Sequence, residues 1–218
     1  MSLMRSSLTC VTDPSALLVA DTSTVINLNA SGCAGKVIAA LPNRLAVVDV
    51  VPGELASGRS HGRPDADLLN RLVAASLVEV VRPDDAATLH FEQLVVGPAA
   101  LTLDDGEAAT IAYVATTVDR AIALVDERKA NRICSSRYPD LRIGCTVDLF
   151  AHPRVRQELG AAALADAVFN ALHIGRMRVL PQHVEWVIKL IGAERAARCT
   201  SLPNSVRDQL PPARLRVK

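Results

Sequence analysis

AIALVD, residues 121–126, is a short apolar run that ends on an acid, and LLVAD, residues 17–21, repeats the arrangement. LAVVDVV, residues 45–51, adds a third run, stopped by Pro52 and followed by Glu54. Between such runs lie longer segments with apolar residues at a 3.6-residue spacing. That alternation is the mark of βαβ units around a parallel sheet. Strands of a parallel sheet all point one way, so Asp21, Glu54 and Asp126 arrive at one carboxyl-terminal edge, where open α/β sheets bind ligands. Acids crowded into one crevice repel one another unless divalent cations sit between them. The pattern therefore predicts an α/β protein with a Mg²⁺ or Mn²⁺ site suited to phosphate chemistry.

Working outward, TSTVINLNA (22–30) reads as a helix with Thr22 or Ser23 as its cap, and PGELAS (52–57) as the start of another. GRSHGRP (58–64) is a loop by its Gly, Ser and Pro content. DADLLNRLVAASL then gives an amphipathic helix capped by Asp65, with Leu68, Leu69, Leu72, Val73 and Leu77 on one face. VEVV (78–81) is a short edge strand, and 84–96 is helical with poor caps. LDDGEAATIAYVATTV is a helix, ERKANRICSSRY a polar-faced helix, and LRIGC the last strand. Residues 146–200 read as three or four helices, with Gly175 and Gly192 as carboxyl-terminal caps. Residues 1–16 read as a flexible lead-in and 201–218 as a Pro-rich basic tail carrying Arg207, Arg214, Arg216 and Lys218.

Half of the 218 residues are hydrophobic, enough for one core that buries roughly 70% of the unfolded surface. Aromatics are only 3%, so Val, Leu, Ile and Ala do the packing. A net charge of +1 supplies no global field toward nucleic acid or an anionic membrane, so any such affinity must come from local patches or bound metal. The five cysteines are scattered, odd in number and without a CxxC pair, which is neither a disulfide framework nor a zinc pattern. They read as reduced thiols in a cytoplasmic protein. The five histidines show no ligand spacing either. No apolar stretch reaches the length of a membrane span, and Asp13 and Pro14 interrupt any signal-peptide core.

Each acid also has a plain structural reading. Asp21 can cap the following helix, and Glu54 can sit in a first turn for its dipole. Asp104 and Glu107 have the spacing of a capping box, and Asp105 also suits a helix start. Three acids within LDDGE exceed what capping requires, and Gly106 among them lets the chain approach a neighbour closely. Asp126 can be a solvated turn acid, yet it repeats the strand-then-acid arrangement of Asp21.

Three segments, VADTSTVINL, VVPGELASG and LDDGEAATIAYVATTVDRAIALVDERKANRICSS, together resemble the PIN domain, the metal-dependent nuclease fold of many toxin–antitoxin toxins. The last segment is similar to the subgroup with a Gly-Glu-Ala helix followed by a strand ending in Asp. The resemblance covers about residues 17–150 and implies a three-layer α/β/α sandwich with a central parallel sheet, with extra C-terminal helices at 151–200 packed on it. It places the acidic cluster on Asp21, Glu54, Glu107 and Asp126, with Asp21, Glu107 and Asp126 as metal ligands, Asp105 as an extra acid, and Thr22 and Ser23 as supporting hydroxyls. The implied activity is Mg²⁺- or Mn²⁺-dependent endoribonuclease, with RNA as substrate, an antitoxin or a homodimer as protein partner, and no membrane. Arg128, Lys129 and Arg132 flank the fourth acid and are the expected RNA contacts. The family's glycine-threonine after the last strand stands here as GCT, with Cys145 between. The alternative is a catalytically silent PIN-like binding or scaffolding module. A haloacid-dehalogenase-like phosphatase needs a second Asp where Ser23 stands, and the glycine fingerprints of nucleotide folds are missing.

Overall fold

The structure, a computed structural model, describes residues 9–58, 62, 64–117 and 120–209. Five strands, β1 (Leu17–Ala20), β2 (Leu45–Val48), β3 (Glu79–Val81), β4 (Ala121–Leu124) and β5 (Ile143–Gly144), form one parallel sheet in the order β3-β2-β1-β4-β5. The chain moves outward from β1 to β2 and β3, then returns to lay β4 on the other side of β1. The order therefore reverses between β1 and β4, where an open α/β sheet leaves a crevice at its carboxyl edge.

Alternate strand residues face opposite cores, as the two-residue period of a strand demands. Leu18, Ala20, Leu45, Val47, Ile122 and Leu124 belong to one apolar cluster; Val19, Val48, Ala121 and Ala123 belong to the other. The first is covered by α1 (Thr22–Ala30), α2 (Ala34–Ala40), α4 (Asp65–Ala74), α8 (Thr146–Ala151), α9 (Pro153–His173) and α10 (Val184–Ile191). The second is covered by α5 (Asp85–Val95), α6 (Asp105–Thr116) and α7 (Arg128–Arg137). This is the three-layer α/β/α sandwich with a central parallel sheet. Phe150, Leu164, Val168 and Leu172 share one core with α1 and α2, so the helices after residue 150 close the first layer. Gly160, at φ 69°, breaks α9 into two helices, and Gly192, at φ 84°, ends α10. Two short helices, α11 (Ala193–Ala197) and α12 (Asn204–Arg207), follow.

Some local expectations shift. The run 45–51 is a strand only to Val48; α3 (Val50–Gly58) already includes Val50 and Val51. Pro52 falls in the first turn of this helix, where no N–H needs an intrahelical acceptor, so the helix begins two residues before the PGELAS start expected. The helix at 84–96 is properly capped, since Asp84 accepts from the Ala87 N–H at 2.8 Å. The lead-in is packed from Thr9 onward: Val11 and Ala16 are buried, and the Asn43 amide donates to the Asp13 and Ala16 carbonyls at 2.8 Å each. Residues 1–8 of that lead-in, residues 59–61 and 63 of the expected loop, and residues 210–218 of the basic tail lie outside the described residues.

Candidate active site

Register brings the first and fourth acids together. Ala20 pairs with Leu124 across β1 and β4, and the Asp21 N–H continues the ladder to the Leu124 carbonyl at 3.3 Å. Asp21 and Asp126 thus leave adjacent strand tips at the point of sheet reversal, and each is 1% exposed. Asp21 does cap α1: its Oδ1 accepts from the Thr24 N–H at 2.7 Å and its Oδ2 from the Ser23 hydroxyl at 2.8 Å. Two donors leave lone pairs of that carboxylate free, so capping and ligation are compatible in one residue. Asp126 is held from the far side. Thr146 donates its N–H to Oδ1 at 2.7 Å and its hydroxyl to Oδ2 at 2.6 Å, and the Asn27 amide donates to Oδ2 at 2.7 Å.

Glu54 joins from α3. Its Oε1 accepts the Gly106 N–H at 2.9 Å, one of the unpaired donors at the start of α6, and the Thr22 hydroxyl donates to its Oε2. Gly106 is required by space: a Cβ there would lie 2.6 Å from Thr22 Oγ1 and would collide with the Glu54 carboxylate. The expected capping box does not form, because Asp104 precedes α6 without a side-chain cap bond. Glu54 takes part of that task, and Glu107 is left buried at 7% exposure with no hydrogen bond among the described residues.

The electrostatics follow from burial. Burial pushes Asp21 from 3.8 up to about 7, with the Asp126 charge adding to it. Burial pushes Glu107 from 4.5 up to about 8, and the charges of Asp21, Glu127 and Asp104 push the same way, against a smaller pull from Lys129. Burial also raises Asp126, even against the donors Thr146 and Asn27. Asp21, Glu107 and Asp126 make no ion pair among the described residues. Carboxylates that are desolvated, mutually repelling and unpaired are suited to bind a cation.

Comparison with known families supports the same reading. The family model described as DUF3368, a PIN domain, matches residues 17–193. The chain belongs to the PIN-domain family. No curated protein and no solved structure matches it. PIN domains are in general metal-dependent nucleases, so a divalent cation and a nucleic-acid substrate come with the family. The all-carboxylate donor set of this PIN domain fits a hard cation held by oxygen. Among the described residues, the only trio with ligand atoms all within 4.8 Å of one another is Cys145, Asp148 and His183; the crevice acids stand further apart. Mg²⁺ tolerates such spacing, because it is usually bound through one or two carboxylates and keeps several waters.

The remaining expected residues are distributed unevenly. Asp105 is exposed and is not among the acids that raise Glu107, which are Asp21, Glu127 and Asp104. Arg128 lines a cavity of about 500 Å³ together with Arg176, Arg178, Thr200 and Ser201. Arg176 and Arg178 also line a smaller cavity of about 100 Å³ that reaches Asp126 and Asn27. Lys129 rests its ammonium 3.4 Å from the Ala99 carbonyl, and Arg132 is exposed on α7. Sequence reasoning did not find Asn27, Thr146, Arg176 or Arg178. The first had a signal, a buried amide inside the apolar stripe of TVINL; the second stood in the noted GCT. Arg176 has φ 59°, a left-handed conformation rare outside glycine, and Gly175 before it packs within 2.7 Å of Asn27 Oδ1 at its would-be Cβ.

Proposed function

We propose that the protein is a Mg²⁺- or Mn²⁺-dependent endoribonuclease. The observation that carries this reading is the pairing of buried, unpaired Asp21 and Asp126 at the sheet reversal with the unbonded carboxylate of Glu107 beside them. Asp21, Glu107 and Asp126 would hold the cation, with Glu54, which accepts from Gly106 and Thr22, acting directly or through water. The bound ion supplies Lewis acidity, making attacking water more acidic and neutralising charge on the phosphodiester.

The chain's own residues do the rest. Thr146 and Asn27 fix the Asp126 carboxylate, and Ser23 and Thr24 fix that of Asp21, so the acids are oriented before substrate arrives. Glu107, with no protein donor to hold it among the described residues, keeps both oxygens for the cation and its waters. Arg128, Arg176 and Arg178 line the concave surface that runs from Asp126, where they would position phosphates without reading bases. In-line attack by water leaves 5′-phosphate and 3′-hydroxyl ends, with no protein nucleophile.

The test is cleavage of end-labelled single-stranded RNA by the full chain, with single-stranded DNA in parallel. Cleavage that needs Mg²⁺ or Mn²⁺, stops with EDTA and is lost in Asp21→Asn supports the reading. Ends carrying 2′,3′-cyclic phosphate, or no cleavage with either ion, refute it and favour the silent module. In the toxin setting that the family resemblance implies, induction of the chain arrests growth and a small protein encoded beside it restores growth.

A further inference from the structure

A second convergence of ligand-type side chains lies beside Thr146 and takes no part in the chemistry above. Cys145, Asp148 and His183 are all buried, and a sulfur, a carboxylate oxygen and an imidazole nitrogen lie within 4.8 Å of one another. Cys145 follows β5, Asp148 stands in the first turn of α8, and His183 closes the 3₁₀ turn Pro181–His183 before α10. Asp148 Oδ2 accepts the Cys145 N–H at 2.9 Å and the Cys145 thiol at 3.1 Å. His183 Nε2 stands 3.7 Å from Asp148 Oδ1, beyond direct hydrogen-bond length. Cys10, an exposed residue, borders the group from the amino-terminal segment. Its N–H donates to Asp148 Oδ1 at 2.9 Å, and its sulfur packs against β5, 2.8 Å from where a Cβ on Gly144 would stand.

The plain reading is a capping box, in which the Cys145 side chain accepts from the Asp148 N–H and the Asp148 carboxylate from the Cys145 N–H. It does not account for the buried His183 imidazole, which stands 3.7 Å from the same carboxylate. Burial of polar groups is costly unless something binds them, and thiolate with imidazole is a donor set that selects zinc over magnesium.

We propose that Cys145, Asp148 and His183, with a water as fourth donor, form a zinc site that ties the starts of α8 and α10 to the edge of the sheet. Zinc entry releases the Cys145 thiol proton to solvent. One Zn²⁺, one thiolate, one carboxylate and one neutral imidazole sum to zero charge, so the loaded site needs no buried counter-ion. The contrast with the crevice is one of donor chemistry: oxygen alone there, sulfur and nitrogen here. This site does not depend on the nuclease reading, although its turn carries Thr146, which holds Asp126.

The experiment uses the full chain, stripped by chelator and reloaded with zinc alone or cobalt alone. The expected result is one tightly held zinc per chain, and a cobalt form with tetrahedral visible bands and a thiolate charge-transfer band in the near ultraviolet. His183→Gln removes the buried contact to Asp148 together with the ligand, so the metal-free variant is first checked for folding by circular dichroism. Its zinc affinity should fall by more than the roughly 100-fold that loss of an outer-shell partner costs. Cys145→Ser should lose the charge-transfer band, and Asp21→Asn should keep it. The proposal is overturned if zinc does not bind stoichiometrically, if His183→Gln binds it as tightly as wild type, or if the cobalt spectrum lacks the thiolate band and depends on Asp21.

Discussion

Asp21→Asn separates a charge held for a cation from a charge that merely caps a helix. The asparagine keeps an acceptor for the Thr24 N–H and caps about as well as aspartate, so the α1 terminus is preserved. What it removes is a charge that burial and Asp126 disfavour, since Asp21 is raised from 3.8 to about 7. That gap of about 3, at about 1.4 kcal/mol for each, makes ionised Asp21 cost the metal-free fold about 4 kcal/mol. An acid raised in the folded state stabilises fully below its unfolded value and loses that contribution as pH rises through its folded value. Urea titrations in EDTA should therefore find Asp21→Asn more stable than wild type by about 1 kcal/mol near about pH 4.5 and by about 4 kcal/mol near about pH 8.5. Added Mg²⁺ should stabilise wild type and close the difference. A variant that is less stable than wild type at both pH values, or whose advantage does not grow with pH, would show that Asp21 is a cap and no more.

The other outcomes test the neighbours. Gly106→Ala puts a methyl into the space of Glu54 and Thr22, so it should cost about 1–3 kcal/mol in urea titrations and lose most cleavage. Thr146→Val removes one of three donors to Asp126 while keeping the backbone one; it should stay folded by circular dichroism and lose about 10–100-fold in metal affinity or rate. Binding of the ion must displace protons held by Asp21 up to about 7 and Glu107 up to about 8, so apparent Mg²⁺ affinity measured by calorimetry should rise about tenfold per pH unit for each proton released below those values, and level off above them. Arg176→Ala with Arg178→Ala should raise KM for RNA with little change in kcat and flatten the salt dependence of binding by about 0.7 for each phosphate that the arginines no longer neutralise.

The strands and the α/β class were legible in the order of the residues. A strand's alternation and a helix's 3.6-residue spacing are written in consecutive residues, so LLVAD, LAVV and AIALVD announced both the sheet and the edge where Asp21 and Asp126 end. The Asp104–Glu107 spacing, equally local, pointed to a capping box that does not form, and at that helix start Glu54 reaches across 52 residues to take the Gly106 N–H. That partner emerges only when the chain is folded, and so do the donors of Asp126: Asn27 lies 99 positions away and Thr146 lies 20. The same holds for His183 against Asp148, which no ligand spacing along the chain foretold. Periodicity fixes which face a residue presents. Which polar group meets it there depends on how distant segments close over the sheet, and the chain order carries no record of that.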